Sequence, residues 1–143
     1  MIIKKFQFSI GGYFGSTYSI ELVDGLYLYR ANTDGITTIS QINPIYENEC
    51  QFEHEVIVQS DSIDEDLVLT EERIERFYKY VSRYCKTWQK DYCDNDIFDG
   101  TSWECDIWID DFRLQSGGQN KYPSNFKSFL TKLSMLTKGK IFE

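Results

Sequence analysis

The alternation of apolar and polar residues near the N-terminus predicts an antiparallel β-meander. Phe6, Phe8 and Ile10 alternate with polar residues, so this strand has one apolar face and one polar face. Asp24-Gly25 and Asp34-Gly35 separate the next apolar runs, and such pairs favour type I′ hairpin turns because both central positions need positive φ. We expect strands over residues 6–10, 19–23, 26–29 and 36–39.

Two further segments follow Pro44. The run 51–59 mixes apolar residues with acidic ones and predicts another strand, and residues 60–66 predict an acidic loop.

Thr70 predicts the start of an amphipathic helix. Its hydroxyl can accept a hydrogen bond from a free backbone amide, and Glu71 and Glu72 favour the positive end of the helix dipole. Apolar residues then recur at helical spacing. They are Ile74, Phe77, Tyr78, Val81, Cys85 and Trp88.

The C-terminal third predicts a β-hairpin and a second helix. A strand over 103–109 turns at Asp110-Asp111 into a strand over 112–115. Pro123 is typical of a first helical position, and Gly139 of a helix end. The fold class is therefore α+β, an antiparallel β-sheet (meander plus C-terminal hairpin) with two amphipathic helices packed on one face, in a single domain of 1–143.

A pattern of aromatic, glycine and turn residues spans the second half of the chain. Its members are Trp88, Tyr92, Asp99-Gly100, Trp103, Gly118, Asn120 and Tyr122-Pro123, and Gly12-x-x-Gly15 precedes them. The pattern resembles a group of uncharacterised small bacterial proteins that have no established activity. The resemblance implies a bacterial origin and a shared fold, although the acidic stretch 60–66 departs from the usual pattern.

Composition favours a globular cytoplasmic protein. The N-terminus lacks the apolar run of a signal peptide, and no stretch approaches the roughly 20 apolar residues of a membrane span. The spacing of Cys50, Cys85, Cys93 and Cys105 matches no zinc motif and favours reduced, buried thiols.

Charge is distributed unevenly along the chain. The net charge is −8, and residues 91–111 hold eight acids and no Lys or Arg, whereas 121–140 hold five lysines and no acid. This balance disfavours nucleic-acid binding. An acidic surface could steer a basic protein partner, or it could serve solubility alone. The candidate partner-binding residues are Asp91, Asp94, Asp96, Asp99, Trp108, Asp110 and Asp111.

A second candidate site is a glycine-containing segment before the final helix. We expect a loop at Gly117-Gly118 whose free amides could hold a small ligand or an anion. Its candidate residues are Tyr92, Gly117, Gly118, Asn120 and Lys121.

No catalytic set, metal site or cofactor motif is recognisable in the sequence. His54 lies between acids that a strand would place on its opposite face, and a calcium loop aligned on Gly100 would put Ile97, which cannot ligate a cation, at a ligand position. The first hypothesis is a noncatalytic interaction protein, such as an immunity-type inhibitor of a basic partner. The alternative is a small-ligand-binding domain with a sheet-side aromatic pocket, and an enzyme of unidentified class comes third.

Overall fold

The structure is a computed structural model that describes residues 1–12, 15–45, 68–94 and 100–142. Within these residues the strands form one sheet, accompanied by two helices, which is an α+β arrangement. The strand predicted over 51–59, the acidic loop over 60–66, Cys50, His54, Asp96 and Asp99 lie outside the described residues.

The described strands form a sheet in the order β5-β4-β3-β2-β1-β7-β8-β6. The strands are β1 Ile3–Gly12, β2 Thr17–Val23, β3 Leu26–Thr33, β4 Ile36–Ile45, β5 Val68–Thr70, β6 Asp91–Cys93, β7 Thr101–Ile109 and β8 Phe112–Gln119. The helices are α1 Glu71–Tyr84 and α2 Phe126–Leu136.

The sheet is mixed, which corrects the expectation of a purely antiparallel one. The pairs from β4 through β1 to β8 are antiparallel, but β5 pairs with β4 and β6 pairs with β8 in parallel. Both parallel strands are three residues long, so they are too short to produce a recognisable alternation of apolar and polar positions.

The two predicted meander turns are confirmed by their backbone geometry. Asp24 and Asp34 have φ of 50° and 53°, and the glycines that follow them have φ of 82° and 77°. Positive φ at both central positions is the requirement of a type I′ turn, and it matches the right-handed twist of the flanking strands.

Helix α1 begins where the sequence predicts but ends earlier. The Thr70 side chain accepts a hydrogen bond from the Arg73 amide at 3.4 Å. The helix ends at Tyr84, and the chain continues in a turn in which the Trp88 amide donates to the Cys85 carbonyl. Trp88 still packs against the core, so its apolar spacing reflects burial rather than helical conformation.

Helix α2 begins later than its proline suggests. Pro123 precedes the helix, and its carbonyl accepts a hydrogen bond from the Phe126 amide at 3.1 Å. At the other end Gly139, with φ of 91°, donates its amide to the Ser134 carbonyl, as expected for a left-handed helix termination.

Both helices contact the same face of β1. The ring of Phe6 lies 5.6 Å from that of Phe77 in α1, and the ring of Phe8 lies 5.4 Å from that of Phe129 in α2. Residues two apart in a strand point to one face, and these four rings are almost fully buried. Burying a side chain of this size stabilises the fold by about 1.5–3 kcal/mol.

Candidate functional site

The four described acids among the predicted partner-binding residues, Asp91, Asp94, Asp110 and Asp111, do not meet at one place. Asp91 pairs with Gly117 and the Asp94 amide donates to the Gln119 carbonyl, so both lie at the C-terminal end of β8. Asp110-Asp111 form the turn that precedes β8. Asp111 and Gly117 are six residues apart, so with a rise of about 3.3 Å per residue the two groups are about 20 Å apart along the strand.

Two of the candidate partner-binding side chains are engaged within the fold. An Asp110 carboxylate oxygen accepts a hydrogen bond from the Ile2 amide at 2.7 Å. The partly exposed Trp108 ring lies 4.5 Å from the Lys4 ammonium and 4.9 Å from the Arg113 guanidinium. These contacts give both residues a structural role at this end of the sheet.

Gly117 and Gly118 belong to strand β8, which corrects the expected loop. Neither has positive φ, and the Gly117 amide donates to the Lys90 carbonyl at 3.0 Å. A methyl group on Gly118 would lie 2.6 Å from both the Lys121 carbonyl oxygen and the Trp103 indole nitrogen. Glycine is needed here for close packing.

The other members of the predicted anion loop are also engaged. The Trp103 indole donates to the Lys121 carbonyl at 3.0 Å, and the Asn120 side-chain oxygen accepts from the Thr101 amide at 2.8 Å. The Tyr92 hydroxyl accepts from the Gln89 amide at 2.9 Å. This segment joins β6, β7 and β8 to one another. Gly117 and Gly118 are therefore not in a loop, and anion binding by this segment stays a prediction.

A cleft that the sequence does not predict lies beside this segment. It has a volume of about 670 Å³ and lies where the segment leading into α2 meets the ends of β1 and β2. Small-molecule sites typically have volumes of 300–1,000 Å³. Its size is therefore that of a ligand site.

The buried lining of the cleft is apolar. Ile10, Phe126, Leu130 and Phe142 are each at most 8% exposed. The lining also contains the rings of Tyr18 and Tyr122, which are more exposed to solvent than these four side chains. The cleft thus offers an apolar interior with aromatic surfaces near the solvent.

The aromatic lining is fixed by ring packing behind it. The Phe126 ring lies 4.8 Å from that of Trp103 and 4.9 Å from that of Tyr122. The Phe142 ring lies 5.3 Å from that of Tyr29 in an edge-on arrangement. Such contacts restrict the rings to one geometry, so the cleft is largely preformed.

A hydrogen bond anchors the C-terminal segment that carries Phe142. The Tyr29 hydroxyl donates to the Ile141 carbonyl. Burial raises the pKa of Tyr29 to about 12, so the hydroxyl keeps the proton that it donates. This bond holds one wall of the cleft against β3.

The polar groups of the cleft are hydroxyls and one ammonium. Ser16, Thr101 and Ser124 supply hydroxyls, and Lys127 is the single charged side chain among the described lining residues. No described lining residue is His, Cys, Asp or Glu. Hydroxyls and an ammonium can donate hydrogen bonds to oxygen atoms of a bound molecule.

The three described cysteines differ in exposure: Cys85 and Cys105 are buried, and Cys93 is exposed. Burial raises the pKa of Cys85 to about 12 and also raises the pKa of Cys105. Cys93 is exposed, which corrects the expectation of a buried thiol at that position. Within the described residues no group of three or more His, Cys, Asp or Glu side chains could hold a metal ion.

Comparison of the chain with protein-family models, curated proteins and solved structures gave no match in any of the three. The resemblance to small bacterial proteins therefore stays a prediction. In the part of the chain that the structure describes, no helix is long and apolar enough to cross a membrane.

The sequence contains only a weak signal for the cleft. Gly12, Gly15 and Tyr122-Pro123 all belong to the pattern that carries the resemblance, and all line the cleft. Nothing in their spacing indicates that they meet, because residues 12 and 122 are brought together by the pairing of β1 with β7 and by α2. In the sequence, Lys127 is only one lysine of a basic run.

Proposed function

We propose that this protein is a noncatalytic binding domain that holds a small, ring-containing apolar molecule in the cleft between α2 and the ends of β1 and β2. The observation that carries the proposal is the cleft itself, about 670 Å³ with a buried apolar lining and preformed aromatic walls. Such a cavity removes most of a small ligand's apolar surface from water, at about 25 cal/mol per Å².

The basic-partner hypothesis draws less support from the geometry. The four described candidate acids lie in two groups about 20 Å apart along β8, and surface charges are screened beyond about 10 Å at 0.1 M salt. The immunity-type role therefore stays a prediction.

Titration with N-phenyl-1-naphthylamine, a neutral aromatic fluorophore, tests the proposal. We expect a saturable rise in fluorescence with one site per chain. Gly15 lines the cleft, lacks positive φ, and apart from its chain neighbours has no described atom within 4 Å of where a side chain would begin. Gly15→Phe should therefore fill the cleft mouth without disturbing the fold and should weaken probe binding about tenfold or more.

Two further variants complete this experiment. Ser124→Phe places a ring at a second exposed position of the lining, whereas Thr131→Phe places one on the exposed side of α2 outside the lining. The first should weaken binding and the second should not, with circular dichroism confirming that all three variants fold. Absence of saturable binding, or equal affinity in the wild type and both cleft variants, would refute the proposed function.

A further inference from the structure

The charge of the cleft is opposite to that of the protein as a whole. The chain carries a net charge of −8, yet its described cleft lining contains no carboxylate and one ammonium, that of Lys127. The first turn of α2, where Lys127 lies, contains no acidic residue. No described lining group of the cleft would therefore repel an anion.

Lys127 is available to a ligand. Its side chain is exposed, and no described carboxylate forms an ion pair with it. In contrast, Lys5 pairs with Asp106 and Arg76 pairs with Glu72. An incoming anion would not have to displace an internal partner to reach the Lys127 ammonium.

The other groups of the lining suit an anion that carries a flat apolar ring. Ser16, Thr101 and Ser124 carry hydroxyls that can donate hydrogen bonds to oxygen atoms. Tyr18, Tyr122 and Phe126 present rings against which a flat apolar body can pack. A cationic ligand would find no described lining group to neutralise its charge.

Building on the proposed function, we infer that the cleft is specific for an aromatic monoanion, a ring system bearing a single carboxylate-like group. The ring system packs against the apolar lining, and the anionic group faces Lys127 and the hydroxyls near the solvent. Because the ammonium is exposed, its contribution is modest, and we expect about a three- to tenfold preference for an anion over its neutral analogue.

Three probes with the same ring test the inference: naphthalene-2-carboxylate, 2-naphthylmethanol and 2-naphthylmethylammonium. Their affinities for the full chain are measured by NMR titration at low salt. The expected order is carboxylate first, alcohol second and ammonium last. Raising the salt concentration should reduce the preference for the carboxylate and leave the alcohol unchanged.

Variants of two lysines test whether Lys127 causes the preference for the carboxylate probe. Lys127→Gln should bring the affinity for the carboxylate down to that for the alcohol, and Lys127→Arg should keep the preference. Lys132→Gln is the matched control, because Lys132 is also exposed and also lies on α2 but does not line the cleft. Lys132→Gln should keep the wild-type preference for the carboxylate over the alcohol.

The outcomes separate this inference from the function on which it rests. If N-phenyl-1-naphthylamine binds in the cleft but the carboxylate does not bind, or binds no better than the alcohol, the inference is wrong and the proposed function stands. The inference is also wrong if Lys127→Gln and Lys132→Gln have equal effects. If neither the neutral fluorophore nor any naphthalene probe binds, the inference and the proposed function are both refuted.

Discussion

At the scale of single residues, Asp106 is the most strongly constrained charge that the structure describes. It is only 9% exposed, and its two carboxylate oxygens accept hydrogen bonds from the Arg113 guanidinium at 3.1 and 3.0 Å. The Lys5 ammonium lies 3.0 Å from one of the same oxygens. A nearly buried carboxylate is tolerated here because two cations face it.

These contacts predict a pH-dependent contribution to stability. Burial by itself would raise the pKa of Asp106, but the hydrogen bonds and charges of Arg113 and Lys5 outweigh it and lower the pKa. A carboxyl whose pKa is lower in the folded than in the unfolded state stabilises the fold above its unfolded pKa, about 3.9. That contribution disappears as the pH falls through the lower, folded-state pKa.

Asp106→Asn should accordingly lower the free energy of unfolding at pH 7 by about 1–3 kcal/mol. The difference in unfolding free energy between wild type and variant should narrow as the pH falls below about 4, because the carboxyl of the unfolded wild type then binds a proton before the folded-state carboxyl does. Urea unfolding at pH 7 and pH 3 measures both values. Asp111→Asn, at the exposed hairpin turn, is the control, and a gap that does not depend on pH would contradict this account.

At the scale of elements, Asn125 links the end of α1 to the start of α2. Its side-chain oxygen accepts a hydrogen bond from the Trp88 indole at 2.7 Å, and its amide nitrogen donates to the Tyr84 carbonyl at 3.0 Å. Asn125 precedes α2 but makes no side-chain capping bond to it. Its role is therefore to join two helices, which its position in the sequence does not suggest.

Asn125→Ala should destabilise the protein by about 1–2 kcal/mol, since a partly buried indole N–H and a helix-terminal carbonyl lose their partner. Thr131→Ala is the matched control. It also removes one side-chain hydrogen bond, from the Thr131 hydroxyl to the Lys127 carbonyl at 3.0 Å, but on an exposed helix face. Midpoints of thermal unfolding that fall equally in the two variants would show that Asn125 does not couple the helices.

At the scale of the whole molecule, the reactivity of the cysteine thiols measures how often the core opens to solvent. Cys105 lies in β7 between β1 and β8, Cys85 follows α1, and both are buried, whereas Cys93 in the short strand β6 is exposed. Burial raises the pKa of both buried thiols, so each is less ionised than a free cysteine at the same pH. Only the thiolate reacts with alkylating reagents.

Labelling with iodoacetamide at pH 8, followed by peptide mass spectrometry, should modify Cys93 about a hundredfold faster than Cys85 or Cys105 in the folded protein. In denaturant and without prior reduction, all four cysteines should react, as expected if none is oxidised. Equal rates at Cys93 and Cys105 in the native state would mean that the central strands open readily. That result would contradict a closed core around β1 and β7.

The sequence by itself determined the elements whose signals are local. The two Asp-Gly turns, the Thr70 cap, the Gly139 helix end and the β7–β8 hairpin depend on backbone φ values and on side chains a few residues apart. The alternation in β1 likewise identified its buried face. Such features can be read from a sequence because the interacting groups are neighbours along the chain.

Only the tertiary structure decided the arrangements that join distant residues. The parallel pairing of β5 and β6, the packing that requires Gly118 to lack a side chain, and the cleft that brings Lys127 beside Ile10 all depend on where separate elements meet. The same folding separated Asp91 from Asp111 although both belong to one acidic run. Charge and residue type are present in the sequence, but the surface on which they act is set by contacts between residues far apart in the chain.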